Sequence, residues 1–174
     1  MNAPVEIVSY DPSWPEIFAA LRGRIASVLG PLARRTEHVG STAVPGLAAK
    51  PVIDLDVVIA TAADLPEVIA RLGTLGYRHE GDLGIAGREA FASPAATSPH
   101  HLYVCPADSR ELARHLAFRD YLRTRPGQAR AYAELKQALA AQFVSDRDAY
   151  NRGKATFIEQ ALAAARTSGA VDNR

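Results

Sequence analysis

The sequence predicts an α/β protein in the broad sense (α+β), a mixed β-sheet with packed helices and a helical C-terminal segment. Three observations predict it. Strand-like runs alternate with amphipathic stretches through the first two-thirds of the chain. The last third carries helical periodicity alone. Pro51 to Ala60 is apolar nearly throughout, as expected for a central strand covered on both faces. A single domain over 1–174 is expected, with about 1–107 as the sheet core and about 108–166 as the helical part.

Val5 to Tyr10 reads as a short strand, ended by Asp11-Pro-Ser-Trp-Pro15. Trp14, Ile17, Phe18, Leu21, Ile25, Val28 and Leu29 recur at three- and four-residue spacing, so 14–29 is an amphipathic helix with Trp14 as a core anchor. Gly30-Pro31 stops it. Arg35 to Val39 is a second strand and Pro51 to Ala60 a third. Asp64-Leu-Pro-Glu67 has the capping-box pattern and opens a helix that Gly73 closes. Shorter strands follow at 76–80, 86–92 and 101–105. Asp108-Ser-Arg-Glu111 repeats the capping pattern ahead of a helix to about Arg123. Pro126 begins another, to about Phe143, and Ser145-Asp-Arg-Asp148 begins the last, whose tail frays from Thr167.

Composition narrows the function. Hydrophobic residues at 48% and charged residues at 22% exclude fibrous and disordered classes. Twenty basic residues against nineteen acidic ones leave no strong positive field, which argues against nucleic acid as a partner. Only Lys50, Lys136 and Lys154 are lysines. Cys105 alone can make neither an intrachain disulfide nor a thiolate metal site, and it reads as a buried strand residue. No stretch approaches the roughly 18 apolar residues of a membrane span. The N-terminal residues lack the regions of a signal peptide, so a cytoplasmic location and no membrane partner are expected.

The chemistry concentrates between Val39 and Ile59. Asp54 and Asp56 interrupt the apolar strand, and side chains two apart on a strand share a face. Two carboxylates about 6 Å apart at an effective dielectric near 20 repel by roughly 3 kcal/mol. Something positive must sit with them: a divalent metal, an arginine or a bound proton. Magnesium suits such a pair, since it takes one or two carboxylates plus waters and substrate phosphates; manganese is the alternative ion. Gly40-Ser41, at the end of the preceding strand, lets backbone N–H groups and a hydroxyl approach a phosphate. The other reading of the dyad is structural, with one Asp capping a loop and the other pairing with an arginine.

Gly-Ser, a dozen-residue spacer and Asp-x-Asp between apolar neighbours resemble the signature of the polymerase-beta-type nucleotidyltransferase superfamily. The wording His38-Val-Gly-Ser-Thr-Ala-Val-Pro-Gly-Leu-Ala-Ala-Lys-Pro-Val-Ile-Asp-Leu-Asp56 resembles more narrowly the GrpB family, also called UPF0157. Tyr10-Asp-Pro-Ser-Trp14, Pro99-His-His-Leu-Tyr-Val104, Phe118-Arg-Asp-Tyr-Leu-Arg123 and the helix carrying Tyr150, Lys154, Phe157 and Ile158 belong to the same resemblance, which spans roughly 5–165. It implies a nucleotidyltransferase-type sheet, with Gly40 and Ser41 at nucleotide phosphates. It also implies magnesium on Asp54 and Asp56, activating a small hydroxylated acceptor for attack on the α-phosphorus.

The chain departs from the superfamily pattern at the third carboxylate. The strand 101–105 offers His101 and Tyr103 on one face and no acid. Three explanations stand: His101 as general base, Glu89 as an acid from another strand, or a silent module that binds a nucleotide or other phosphorylated small molecule. A hydrolase site with zinc or manganese on His38, Asp54, Asp56 and His101 is a further alternative, unsupported by metal-ligand spacing. Lys50 and Arg88 are candidate phosphate ligands, with solvated-loop and local-pairing alternatives. Tyr150 and Lys154 share a helix face that could turn Lys154 into the cleft. His38 is either a pocket residue or a core histidine, and His100 reads as a rim or loop histidine. His79 and His115 show no partner pattern. Arg119, Asp120 and Arg123 read as a solvated helix face.

Overall fold

The computed structural model describes residues 4–171; Met1 to Ala3 and 172–174 lie outside them. Helix α1 (Trp14–Leu29) is followed by strands β1 (Arg35–Val39) and β2 (Ile53–Ile59), then by helix α2 (Leu65–Thr74). Strands β3 (Arg78–Gly81), β4 (Glu89–Ala92) and β5 (His100–Pro106) complete one five-stranded sheet in the order β1-β2-β5-β4-β3. Helices α3 (Arg110–Arg123), α4 (Pro126–Gln142) and α5 (Arg147–Val171) close the chain. Only β2 and β5 run parallel; the other neighbours are antiparallel, so the sheet is mixed.

Strand alternation gives the sheet two unlike faces. On one, Leu55 and Val57 of β2 join Leu102 and Val104 of β5 beneath α1 and α2, where Trp14, Ile25, Leu29, Val68 and Leu72 are buried. Each such aliphatic side chain contributes about 1.5–3 kcal/mol by leaving water. Trp14 is the expected anchor, with Tyr10 edge-on at 5.2 Å. The opposite face carries Asp54 and Asp56 and is covered by α3, whose Leu112 packs on Val58 and Cys105. Cys105 is fully buried, as expected, and burial pushes its thiol up to about 12.

Several local expectations change. Val5–Tyr10 forms no strand, only a single bridge from Val8 to Ala49. The capping box belongs to Thr61 and Asp64 on a 3-10 turn ahead of α2, and α2 runs through Gly73 to Thr74. Ser109, not Asp108, caps α3, accepting from the Leu112 N–H. Asp146 accepts from the Ala149 N–H ahead of α5, which continues past Thr167 to Val171. The Arg119 face is not solvated: its guanidinium donates to Glu37 at 2.8 Å and to the His38 carbonyl, tying α3 to β1. Arg123 donates in the same way to the Ala43 carbonyl, while Asp120 keeps the expected local pairing with Arg119.

Candidate functional site

Register decides which predicted residues meet. Asp54 stands opposite Val39 of β1 and His101 of β5, and Asp56 opposite Glu37 and Tyr103. Asp54, Asp56, His101 and Tyr103 therefore share one face, as their spacing predicted. Gly40 follows Val39 with φ +69°, and a Cβ there would overlap Asp54 Oδ2 and lie 2.9 Å from its Cγ. The glycine is required twice, by its backbone angle and by the carboxylate seated against it.

The two carboxylates are each matched by an imidazole. His101 Nδ1–H donates to Asp54 Oδ1 at 2.9 Å, at the edge of a cavity of about 390 Å³. Asp56 is fully buried and outside that cavity, and His115 Nδ1–H donates to its Oδ2 at 2.6 Å. The far nitrogen of His115 lies 3.2 Å from Glu111. Burial works against charge on His115, but the hydrogen bond and charge of Asp56, reinforced by Glu111, outweigh it and leave its pKa raised. Burial likewise raises Asp56, and His115 opposes that. The group that compensates Asp56 is thus an imidazole drawn toward its charged form, on a histidine for which the sequence shows no partner pattern. The readable signal was Glu111 one turn before His115 on α3, a pair facing the sheet.

Glu89 does not supply the third carboxylate. It stands opposite Val104 and shares the apolar face, where its carboxylate bonds His79 at 2.7 Å. His38 is on that face too, stacked on Phe18 at 4.6 Å and bonded to Thr42 Oγ1, so it is the core histidine of the two alternatives. That disposes of a His38-containing metal cluster. His100 is buried rather than at a rim, donating from Nδ1 to the Ser98 carbonyl and accepting from the Tyr77 hydroxyl. Arg88 lies over the Tyr103 ring at 4.3 Å, outside the cavity, with its Nε buried and unpartnered.

The cavity gathers what the sequence scatters. Gly40, Ser41, Lys50, Asp54, His101, Tyr103 and Lys154 of the predicted set line it. Lys136 and Arg147, given no role from the sequence, line it as well, so every lysine of the chain is present. Lys136 Nζ donates to Ser41 Oγ at 3.0 Å and to the Ala48 carbonyl. Lys50 and Lys154 lie against the Tyr150 ring, at 5.7 and 4.4 Å from its centroid. Burial, with repulsion from the neighbouring lysines, lowers Lys136 to about 7; burial and the charges of Lys50 and Arg147 lower Lys154 to about 8. Lys50 is lowered by burial and by Arg147. Asp54 is the one carboxylate in the lining. In α5, Gly153 lets α4 approach, since a Cβ there would lie 2.9 Å from Leu139 Cδ1 and closer still to Cδ2.

The dyad as folded does not fit a magnesium ion. Asp56 Oδ1 is a buried oxygen without a hydrogen-bond partner, which a cation could satisfy. Its carboxylate is nevertheless sealed from the cavity and held by His115, and Asp54 is held by His101. Among the described residues no three His, Cys, Asp or Glu side chains form a group able to hold a metal.

The model of the family described as GrpB protein matches residues 4–164. The chain belongs to the GrpB family. A UPF0157 protein of Pseudomonas aeruginosa is 40% identical over 170 residues, covering 93% of this chain and 69% of that protein. A UPF0157 protein of Bacillus subtilis is 36% identical over 157 residues and 90% of this chain, which spans only 46% of that longer relative. A dephospho-CoA kinase of Mycolicibacterium paratuberculosis is 29% identical over 86% of this chain and 43% of its own length. The crystal structure of conserved protein GrpB from Enterococcus faecalis superposes with a TM-score of 0.86 at 32% identity, covering 94% of this chain and 98% of that one. A chain of the GLD-2/RNP-8 complex shares the fold at a TM-score of 0.61 and 12% identity, over 86% of this chain and 60% of that one. The GrpB fold is of nucleotidyltransferase type, an α+β arrangement around a mixed five-stranded sheet. Among the described residues no helix is long and apolar enough to cross a membrane.

Proposed function

We propose that the cavity binds a phosphorylated small molecule of the nucleotide class. Its phosphates would lie against Ser41, Lys50, Lys136, Lys154 and Arg147, and the rest of the ligand along Tyr103, Tyr132 and Tyr150. The observation that supports this reading is the convergence of all three lysines and an arginine on a cavity floored by Gly40-Ser41. Ammonium groups held this close together repel, and a bound polyanion relieves them. Calorimetric titration with the common nucleoside triphosphates tests it. Saturable binding that falls about tenfold or more in Lys154→Ala is expected; no nucleotide binding, or equal binding by the variant, overturns it.

A second reading is nucleotidyl transfer to a small hydroxylated acceptor, with magnesium, or manganese in its place. The unpartnered Asp56 Oδ1 favours it, and it requires His115 to release Asp56. In that reading the Asp54–His101 pair supplies the base, since a neutral imidazole protonated on Nδ1 keeps Nε2 free to take the acceptor's proton. Incubation of labelled triphosphate with the divalent ion and a pool of small hydroxylated compounds tests it. A labelled product that disappears in Asp54→Asn is expected, and no product in either protein removes the reading.

A further inference from the structure

Two features of the nucleotide-binding face are at odds with metal-dependent chemistry. Its carboxylates are already matched by imidazoles, one of them sealed under α3. Its cavity is overstocked with cations: Lys50 from the loop entering β2, Lys136 from α4, Lys154 and Arg147 from α5, against Asp54 alone. A magnesium ion delivered with a phosphate ligand would have to enter beside four positive groups and find one open carboxylate. We infer that the cavity takes an oligophosphate as the metal-free anion, with the three lysines and Arg147 occupying the role that divalent ions fill elsewhere. The inference rests on the phosphorylated-ligand reading and deepens it.

The geometry supplies the rest. Lys136 is almost fully buried and points at Ser41 Oγ, so it marks the floor of the cavity, where the most deeply inserted phosphate would sit. Lys50 and Lys154 lie over the Tyr150 ring and are half-buried, closer to solvent than Lys136. Tyr150 is itself 1% exposed, and both ammonium groups lie over the face of its ring, which attracts them without neutralising them. Cations arranged from floor to mouth suit a linear chain of phosphates better than a single one. With no anion bound, the lysines shed part of their charge, which agrees with the depressed pKa of Lys136 and Lys154. An arriving polyanion restores it, so binding takes up protons from solution.

Inorganic triphosphate is the probe, titrated by calorimetry once in excess EDTA and once in excess magnesium, in two buffers of different ionisation enthalpy. Binding in EDTA, weakened about tenfold or more by magnesium and accompanied by net proton uptake near pH 8, is expected. Lys136→Met should lose about tenfold in affinity and most of the proton uptake, and Lys50→Ala should lose affinity while keeping the uptake at Lys136. Binding by Arg130→Ala, a change outside the cavity lining, should match the parent. Binding that appears only with magnesium overturns the metal-free inference and leaves the phosphorylated-ligand reading intact. Absence of binding by triphosphate and by nucleotides under both conditions overturns both. Equal weakening by Arg130→Ala also overturns the inference, since the anion would then be held by general charge rather than by this cavity. Should Lys136→Met fail to fold, the EDTA comparison and Lys50→Ala decide the question alone.

Discussion

Asp54 and Asp56 stand two residues apart on one strand face, yet they belong to neighbourhoods of opposite construction. Around Asp56 the partners lie within the fold: His115 bridges the Asp56 and Glu111 carboxylates where α3 meets the sheet. Around Asp54 three lysines and an arginine face one carboxylate across an open cavity. A charge pair matched internally is a structural device, and its removal harms folding. A set of like charges crowded around one cavity is a standing cost that a bound anion would relieve, and in the proposed function its removal harms binding. The contrast gives one cluster a structural role and supports the proposed ligand-binding role of the other.

The severest way to break this contrast is His115→Ala. Leaving Asp56 buried and unpaired should cost about 3 kcal/mol in urea unfolding at pH 7, and an unchanged midpoint would mean the pair is ornamental. Next comes Gly40→Ala, where a side chain must displace the Asp54 carboxylate at a positive φ. A loss of about 2 kcal/mol is expected in the same assay.

The pH dependence sharpens the comparison further, because the two clusters have opposite signs. Lys136 has a folded pKa depressed to about 7, so the unfolded chain holds more protons between there and the ordinary lysine value. Stability from this group therefore rises with pH through that window, by on the order of 1–2 kcal/mol between pH 7 and 9. His115 is raised, so its contribution is present at low pH and lost as pH climbs through its folded value. Thermal melts across pH 6–9 should show the alkaline rise in the parent and a flatter curve in Lys136→Met. The smallest effect is expected from Asp54→Asn. Deleting the cavity's lone carboxylate should tighten metal-free triphosphate binding about threefold by calorimetry, a change well under 1 kcal/mol. Loss of metal-free binding would mean that Asp54 orders the lining rather than merely opposing its charge.

How much of this was legible follows from what a sequence pattern encodes. Period-two alternation put Asp54, Asp56, His101 and Tyr103 on common faces, and the long apolar run marked β2 as central. Alternation says nothing of how strands align with one another. Glu89, one of three candidates for the missing acid, falls on the other face because the β4–β5 register, which sets it opposite Val104, is a tertiary fact. His115 was missed for the same reason: its partner lies 59 residues away, and only the docking of α3 brings them together. The scarcity of lysine is visible in the sequence, but nothing in a linear pattern says that the three converge. That Lys50, Lys136 and Lys154 meet in one cavity depends on the packing of α4 and α5, which Gly153 permits by accepting Leu139 where a Cβ would stand. Short segments read least well, since Val5–Tyr10 keeps a single bridge where a strand pattern was present.

Lys136 does more than line the cavity: from α4 it grips Ser41 and the Ala48 carbonyl, one on each side of the turn that joins β1 to β2. The same amine is thus a tether between the early and late parts of the chain and, in the proposed binding mode, the deepest contact for an incoming anion. A nascent chain released only as far as β5 would lack that floor altogether. The proposed binding site is therefore the last part of the fold to be completed as the polypeptide is synthesised, and an occupant would act as a keystone, resisting separation of the late helices from the sheet that preceded them.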